Sequence, residues 1–162
     1  MSRVLHTTRL ELVLLEPDVA RALAAGVNVN GHVWSAGYPL GSSLLRAELT
    51  VAAAAHGRPL GDFGTYQVVR RSDGAVIGDA GFLGPPDATG AVSVGCGIIE
   101  GARRRGYATE ALGALLEWAR EQTGLTCVLA DTTRANLGGQ RLLERAGMHK
   151  IGEDGELLYY MT

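Results

Sequence analysis

The chain is poor in residues that staple, ligate or anchor a fold. It has two cysteines in 162 residues, which make neither a disulfide framework nor a CxxC pair. Cys96 and Cys127 read as small apolar residues on strands; a catalytic thiol is the other reading, but no histidine stands at a suggestive spacing. The four histidines, His6, His32, His56 and His149, are scattered. None belongs to an HxxxH or HExxH array, so no metal site is expected. No apolar run approaches the roughly 20 residues of a membrane span. The opening, Met1 to His6, lacks the apolar stretch of a secretory signal, so a cytoplasmic protein without a membrane partner is expected. An excess of one charge is missing too: 15 Lys and Arg face 17 Asp and Glu, which makes no global electrostatic case for DNA or RNA. There is no repeat and no long linker. GxxxxGK-S/T is absent, which excludes a P-loop. Gly95-Cys-Gly97 begins like GxGxxG, but Glu100 stands where the third glycine belongs, so the dinucleotide fingerprint fails.

What is present suits one compact domain over residues 1–162, with 46% hydrophobic residues and enough length to bury a core. Arg9 to Leu15 reads as a first strand. Glu16-Pro17-Asp18 opens a helix that runs to about Ala25 and stops at Gly26. Val27 to Gly41, rich in Gly and Asn, reads as an irregular loop. Its Trp34 and Tyr38 either line a substrate entrance or plug the edge of the core. Ser42 or Ser43 is expected to cap a second helix reaching about Ala55. Gly64 to Arg71, a turn at Ser72-Asp73-Gly74, Ala75 to Leu83 and Ala91 to Glu100 form an antiparallel meander. After Gly106, the residues Ala108, Ala111, Leu112, Leu115, Leu116 and Ala119 recur with helical period, and Glu110, Glu117 and Arg120 lie off that stripe. Thr126 to Asp131 reads as a buried strand. Asn136 is a plausible N-cap for a short helix that ends at Gly147, and two strands flank Asp154-Gly155. The expected fold is a mixed α/β sheet with helices on both faces.

One segment carries chemistry. From Gly97 to Thr109 a strand enters a turn and the turn opens the strongest helix. Amides at a helix start lack intrahelical partners and point along the positive end of the dipole, which suits an anion, above all a pyrophosphate. Gly106 lets backbone approach a phosphate without a Cβ, Ala108 is too small to shield the amides, and Arg103, Arg104 and Arg105 add charge. The plainer readings are a solvated basic helix start or a weak nucleic-acid patch. Basic charge at a helix N-terminus opposes the dipole, which favours an anionic partner.

Arg103-x-x-Gly106-x-Ala108 resembles the Q/R-x-x-G-x-G/A pyrophosphate loop of the GNAT superfamily of N-acetyltransferases. Val76-Ile-Gly-Asp-Ala-Gly-Phe-Leu-Gly84, Val92-Ser-Val-Gly-Cys-Gly-Ile98 and Arg105-Gly-Tyr-Ala-Thr-Glu-Ala-Leu112 are similar to the branch that includes ribosomal-protein alanine acetyltransferases. Asp131-Thr-Thr-Arg-Ala-Asn136, Arg141-Leu-Leu-Glu-Arg-Ala-Gly-Met148 and Thr8-Arg9-Leu-Glu-Leu12 follow the family's pattern in order. The resemblance implies a mostly antiparallel GNAT-like sheet splayed at its middle, with acetyl-CoA as cosubstrate and no metal. It implies that backbone groups of Ile98, Ile99 and Glu100 meet pantetheine. Amides from Arg103 through Gly106, Tyr107, Ala108 and Thr109 would hold the pyrophosphate, and Asn136 would bond the cosubstrate near the thioester. The implied reaction is direct attack of a primary amine, on a small molecule or a protein N-terminus. A homodimer is suggested by family habit alone.

The chain departs from the pattern where proton transfer is usually arranged. Ser93 replaces a Glu, Gly139 stands where Ser or Ala commonly follows the motif Asn, and Leu143 takes the place of a Tyr used as acid in other branches. Ser93, Asn136 and Tyr160 are the catalytic candidates, with Tyr159 as an alternative acid; either tyrosine could instead simply pack against a neighbouring strand. Asp79 and Asp131 could relay protons through water or be surface and turn carboxylates. The Gly138-Gly139 pair weakens a helix start and suggests close approach to a ligand. The other function that fits these departures is a degenerate acyl-CoA-binding sensor.

Overall fold

The computed structural model describes residues 2–162; Met1, part of the opening read above, lies outside them. Strand β1 (Val4–His6) pairs antiparallel with β2 (Leu10–Leu14). The strand expected from Arg9 to Leu15 is present as β2; the short β1 before it, which makes it the second arm of a hairpin, went unread because a three-residue strand has too few positions to show a period. Helix α1 (Pro17–Ala24) starts after Glu16 with Pro17 in its first turn, and Gly26 follows it at φ 74°. The region expected to be wholly irregular holds β3 (Val33–Trp34), which pairs parallel with β5 (Ala75–Phe82).

Helix α2 (Gly41–Ala55) is capped differently from the expectation. Leu40 is the N-cap, and Ser43 reaches back from the third helical position to accept the Leu40 amide at 3.0 Å. The meander holds as read: β4 (Thr65–Arg70), β5 and β6 (Ala91–Ile98) are successive antiparallel neighbours. Helix α3 (Tyr107–Arg120) buries Ala111, Leu112, Leu115, Leu116 and Ala119 of the stripe read from the sequence, while Ala108 in its first turn is half-buried. Each such leucine contributes about 1.5–3 kcal/mol on burial. Strand β7 (Cys127–Thr133) alternates buried and more exposed residues and is therefore half buried. Helix α4 (Leu137–Arg145), β8 (His149–Asp154) and β9 (Leu157–Met161) complete the chain, and Gly147 takes φ 89° beyond the helix.

The sheet order is β1-β2-β4-β5-β6-β7-β9-β8, with β3 added on β5. Every pairing is antiparallel except β3 with β5 and β6 with β7. Phe82 packs against Trp118 of α3 at 5.5 Å between ring centroids, whereas Asp79 on the same strand meets Ser43 of α2. Residues three apart on a regular strand point to opposite faces, so α2 and α3 cover opposite faces of the sheet. Both faces of β5 are accordingly buried along its whole length. Among the described residues no helix is long and apolar enough to cross a membrane.

Strands β6 and β7 are neighbours only in part. Their register covers Ala91 to Ser93 against Cys127 to Leu129 and stops there. Beyond it β6 continues to Ile98 along β5, and β7 continues to Thr133 along β9. The sheet is splayed at this point, and the splay positions the site.

Candidate functional site

The amide-rich turn lies between β6 and α3. A 3-10 turn, Glu100–Ala102, leads to Arg103, and Gly106 is the N-cap of α3 at φ 81°. Arg104 also sits at positive φ, 62°, a conformation that costs a side-chain-bearing residue about 1–2 kcal/mol. Gly106 has no side chain with which to cap the helix. Among the described residues, no amide from 104 to 109 donates to a protein acceptor; the first that does is Glu110, to the Gly106 carbonyl at 3.0 Å. Residues 103–106 are exposed and 107–109 half-buried, so this run of unbonded donors lies near the surface at the positive end of a four-turn dipole. Arg103 is not wholly free: its Nε donates to the Ile98 carbonyl at 2.9 Å.

The turn is braced from the β1–β2 hairpin. Arg9 donates from Nη1 to the Arg105 carbonyl at 2.8 Å and lies over the Tyr107 ring at 4.4 Å. Its Nε meets Glu110 Oε2 at 2.7 Å, while its own amide and the Thr7 hydroxyl donate to Oε1 at 2.8 and 2.6 Å. Burial acts to raise the Glu110 carboxyl, but the hydrogen bonds from Thr7 and Arg9 prevail and hold it below the ordinary carboxylate range. Glu110 lies off the apolar stripe as read, yet it is a tertiary tie, not a solvated acid.

The splay opens a cavity of about 220 Å³. Val94, Gly95 and Cys96 of β6 form one wall, and Ala130, Asp131 and Thr132 of β7 the other. Leu112 of α3 and Asn136, Gly139, Leu142 and Leu143 around α4 close one side, and Arg46 of α2 enters from the opposite face. Two hydrogen bonds fix which way β6 turns its backbone. Ser93 accepts from Leu83 at 3.0 Å, and the Ile99 amide donates to the Ile77 carbonyl at 2.9 Å. Odd-numbered residues of β6 therefore bond β5, and the backbones of Cys96 and Ile98 face the gap, past the last β7 partner.

Of the three catalytic candidates, Asn136 alone borders the cavity. Its Oδ1 accepts the Gly139 amide at 2.8 Å, as an N-cap should, and its Nδ2 has no acceptor among the described residues. Ser93 is exposed on β6, and Tyr160 is buried on β9 at 2% exposure, paired with Ala130; neither lines the cavity. Tyr159 pairs with Asp131 and is half-buried. Gly139 has a physical cause that pattern alone did not supply: a Cβ there would stand 2.5 Å from Thr132 Oγ1 and 2.6 Å from Asn136 Nδ2. A Ser or Ala there would force one of these two side chains to shift, while Gly139 itself borders the cavity. Gly138 is not crowded, with Asn136 Oδ1 nearest at 3.8 Å.

Asp79 is neither a surface nor a turn carboxylate. It is 1% exposed at the middle of β5, where Tyr38 donates to Oδ1 at 2.9 Å and Ser43 donates to Oδ2. Gln67 donates to the Tyr38 hydroxyl at 3.1 Å, and Asn30 to Gln67 Oε1 at 2.6 Å. Burial raises the Asp79 carboxyl above its ordinary value, against the pull of Ser43, Tyr38 and Arg46. Burial likewise lifts the Tyr38 phenol, and it pushes the Cys96 thiol up to about 12, which argues against a nucleophilic thiolate. Tyr38 thus belongs to the core, with Trp34 edge-on to it at 5.6 Å. The cluster escaped sequence reading because its members come from the loop, α2, β4 and β5, with no local pattern to join them.

The model of the acetyltransferase (GNAT) domain matches residues 9–149. The N-acetyltransferase YjdG of Bacillus subtilis (strain 168), itself uncharacterized, is 32% identical over 100 residues, and the match spans 60% of either chain. An acetyltransferase from Agrobacterium tumefaciens superposes with a TM-score of 0.66 at 24% identity, covering 100% of this chain and 95% of that one. RimL, a ribosomal α-N-protein acetyltransferase in complex with coenzyme A, superposes at 0.70 with 12% identity, covering 99% and 97%. Since the family model covers residues 9–149, most of its length, the chain belongs to the GNAT acetyltransferase family.

Proposed function

We propose that this chain, acting over residues 1–162 as one unit, transfers the acetyl group of acetyl-CoA to a primary amine. The observation that carries the proposal is the run of six consecutive amides, 104–109, without protein acceptors at an exposed helix start. It lies at one end of a β6 edge whose gap-facing backbone borders a cavity. Such donors suit a pyrophosphate, with Arg103, Arg104 and Arg105 supplying countercharge and Gly106, Tyr107, Ala108 and Thr109 supplying amides. The gap suits an extended pantetheine along Cys96, Ile98 and the Glu100 turn; the Ile99 amide is already spent on Ile77. RimL, bound to coenzyme A, shares this fold.

In the transfer, the amine nitrogen bonds to the thioester carbonyl carbon, the C–S bond breaks, and its electron pair leaves on sulfur. The proton lost from nitrogen ends on the departing thiolate. Asn136, with an unspent Nδ2 at the cavity wall, would bond the cosubstrate near the thioester. An alkylamine is mostly protonated at neutral pH, so it needs a proton acceptor. Asp131 stands at the cavity wall and Asp79 does not, which makes Asp131, through water, the relay we favour. Calorimetry with acetyl-CoA, followed by thiol release against a panel of amines and N-terminal peptides, tests the reading. Binding with amine-dependent thiol release is expected. Binding with silence across a broad panel would instead favour the sensor.

A further inference from the structure

Arg46 is a charged side chain brought to the splay without an ion-pair partner among the described residues. It lies one turn after Ser43 on α2, and its guanidinium crosses to β6, where a Cβ on Gly95 would collide with Nη2. Glycine at position 95 is what lets the side chain through. Among the described residues Arg46 makes no ion pair, and its one side-chain hydrogen bond is a long contact from Nη1 to Thr65 Oγ1, 3.4 Å. Burial works against its charge, opposed by Asp79 and Cys96. Asp79 attracts the guanidinium electrostatically but forms neither an ion pair nor a hydrogen bond with it; its own oxygens accept from Tyr38 and Ser43. A guanidinium carries five donors in a planar fork that matches a carboxylate. Most of those donors are unspent beside a cavity of about 220 Å³. Asp131 of β7 lines the same cavity.

We infer that the acceptor is an amino-carboxylate, whose carboxylate docks on Arg46 while its amino group lies toward Asp131. This rests on the acetyl-transfer reading and names its acceptor class. The side of entry supports it: α2 covers the face opposite α3, so Arg46 reaches the gap from the side away from the amide-rich turn. A second anion is disfavoured by Asp131, and a lone cationic amine by Arg46; a molecule carrying both charges satisfies both. The same chemistry is offered by a free amino acid and by a protein N-terminus with an acidic residue next to it.

The test uses the full chain, saturating acetyl-CoA and matched acceptor pairs: free amino acids against their amides, and peptides with Glu against Gln after the N-terminal residue. The acid should be preferred about ten- to a hundredfold in kcat/KM in one of the two arms, and that arm identifies the source. In Arg46→Met the acid-to-amide ratio should fall toward one, with KM carrying the loss, and Arg46→Lys should keep part of it. Equal use of acid and amide in both arms, or an unchanged ratio in Arg46→Met, would overturn the inference. Independently of turnover, N-acetylated amino acids and peptides are titrated into the CoA-loaded protein by NMR. The acids should bind the native chain and not Arg46→Met; binding to neither, or alike to both, overturns the assignment. Calorimetry with acetyl-CoA separates the two levels: unchanged affinity in Arg46→Met locates a defect at the acceptor, whereas no affinity in the native chain refutes the acetyl-transfer reading and this one with it.

Discussion

Glu110, in the first turn of α3, holds Arg9 by both carboxylate oxygens, Oε2 from the guanidinium Nε at 2.7 Å and Oε1 from the backbone amide at 2.8 Å. Through Arg9 Nη1, which reaches the Arg105 carbonyl, the β1–β2 hairpin sets the posture of the open turn. Arg9→Ala should weaken acetyl-CoA binding by about three- to tenfold without touching the ligand. The lower part of that range reflects a side chain 43% exposed to water. Calorimetry measures it, and unchanged affinity would mean the turn keeps its shape unaided.

The same pair predicts a pH effect. Glu110 has a folded value below its ordinary one, so its contribution is fully present above the ordinary glutamate range and is lost as pH falls through the lowered value. Thermal melts between mild and strong acid should show this loss in the native chain and a shallower loss in Glu110→Gln. Equal slopes would count against the tie.

Asp79 has the opposite sign. Its folded value is raised by burial, so the native state binds the proton more tightly than the unfolded chain. Stability should therefore fall as pH rises from the ordinary Asp value of 3.8 through the raised one. Asp79→Asn, which mimics the protonated acid, should flatten that slope. Tyr38→Phe, which removes a buried donor, should cost about 1–3 kcal/mol in denaturant melts. A neutral Tyr38→Phe would show that the cluster is not bearing on stability.

Gly139→Ser restores a residue common in the family at this position and is expected to harm this chain. The new Cβ meets Thr132 Oγ1 and Asn136 Nδ2, so it should disturb the N-cap and cost about 1–2 kcal/mol. Pairing it with Thr132→Ala should recover part of the loss, a coupling that a double-mutant cycle reads. Strict additivity would rule out the proposed contact.

Legibility in the sequence followed locality. The α3 stripe, the meander, the Asn136 cap and the turn at Gly106 are written in residues a few positions apart, and each stands where its pattern placed it. The three-residue β1 and the two-residue β3 are too short to carry a period. Asp79, Arg46 and Glu110 were misread or passed over because their partners lie far away in the chain: Tyr38 and Ser43 for Asp79, Gly95 for Arg46, Thr7 and Arg9 for Glu110. A charged residue on a helix or strand looks solvated until the fold shows what faces it. Gly139 was read as a point of close approach to a ligand; it does line the cavity, and the side chains that would crowd a Cβ there, Thr132 and Asn136, come from a neighbouring strand and the N-cap.

The anion-binding turn is tested most directly by amide NMR of the isotope-labelled chain during titration with coenzyme A, with Gly106→Glu as the control. Shift changes and slowed hydrogen exchange should concentrate at the amides of residues 104–109 and disappear in Gly106→Glu, which retains a folded spectrum. Saturable binding that leaves those six amides unmoved, or binding that survives Gly106→Glu, would contradict the account.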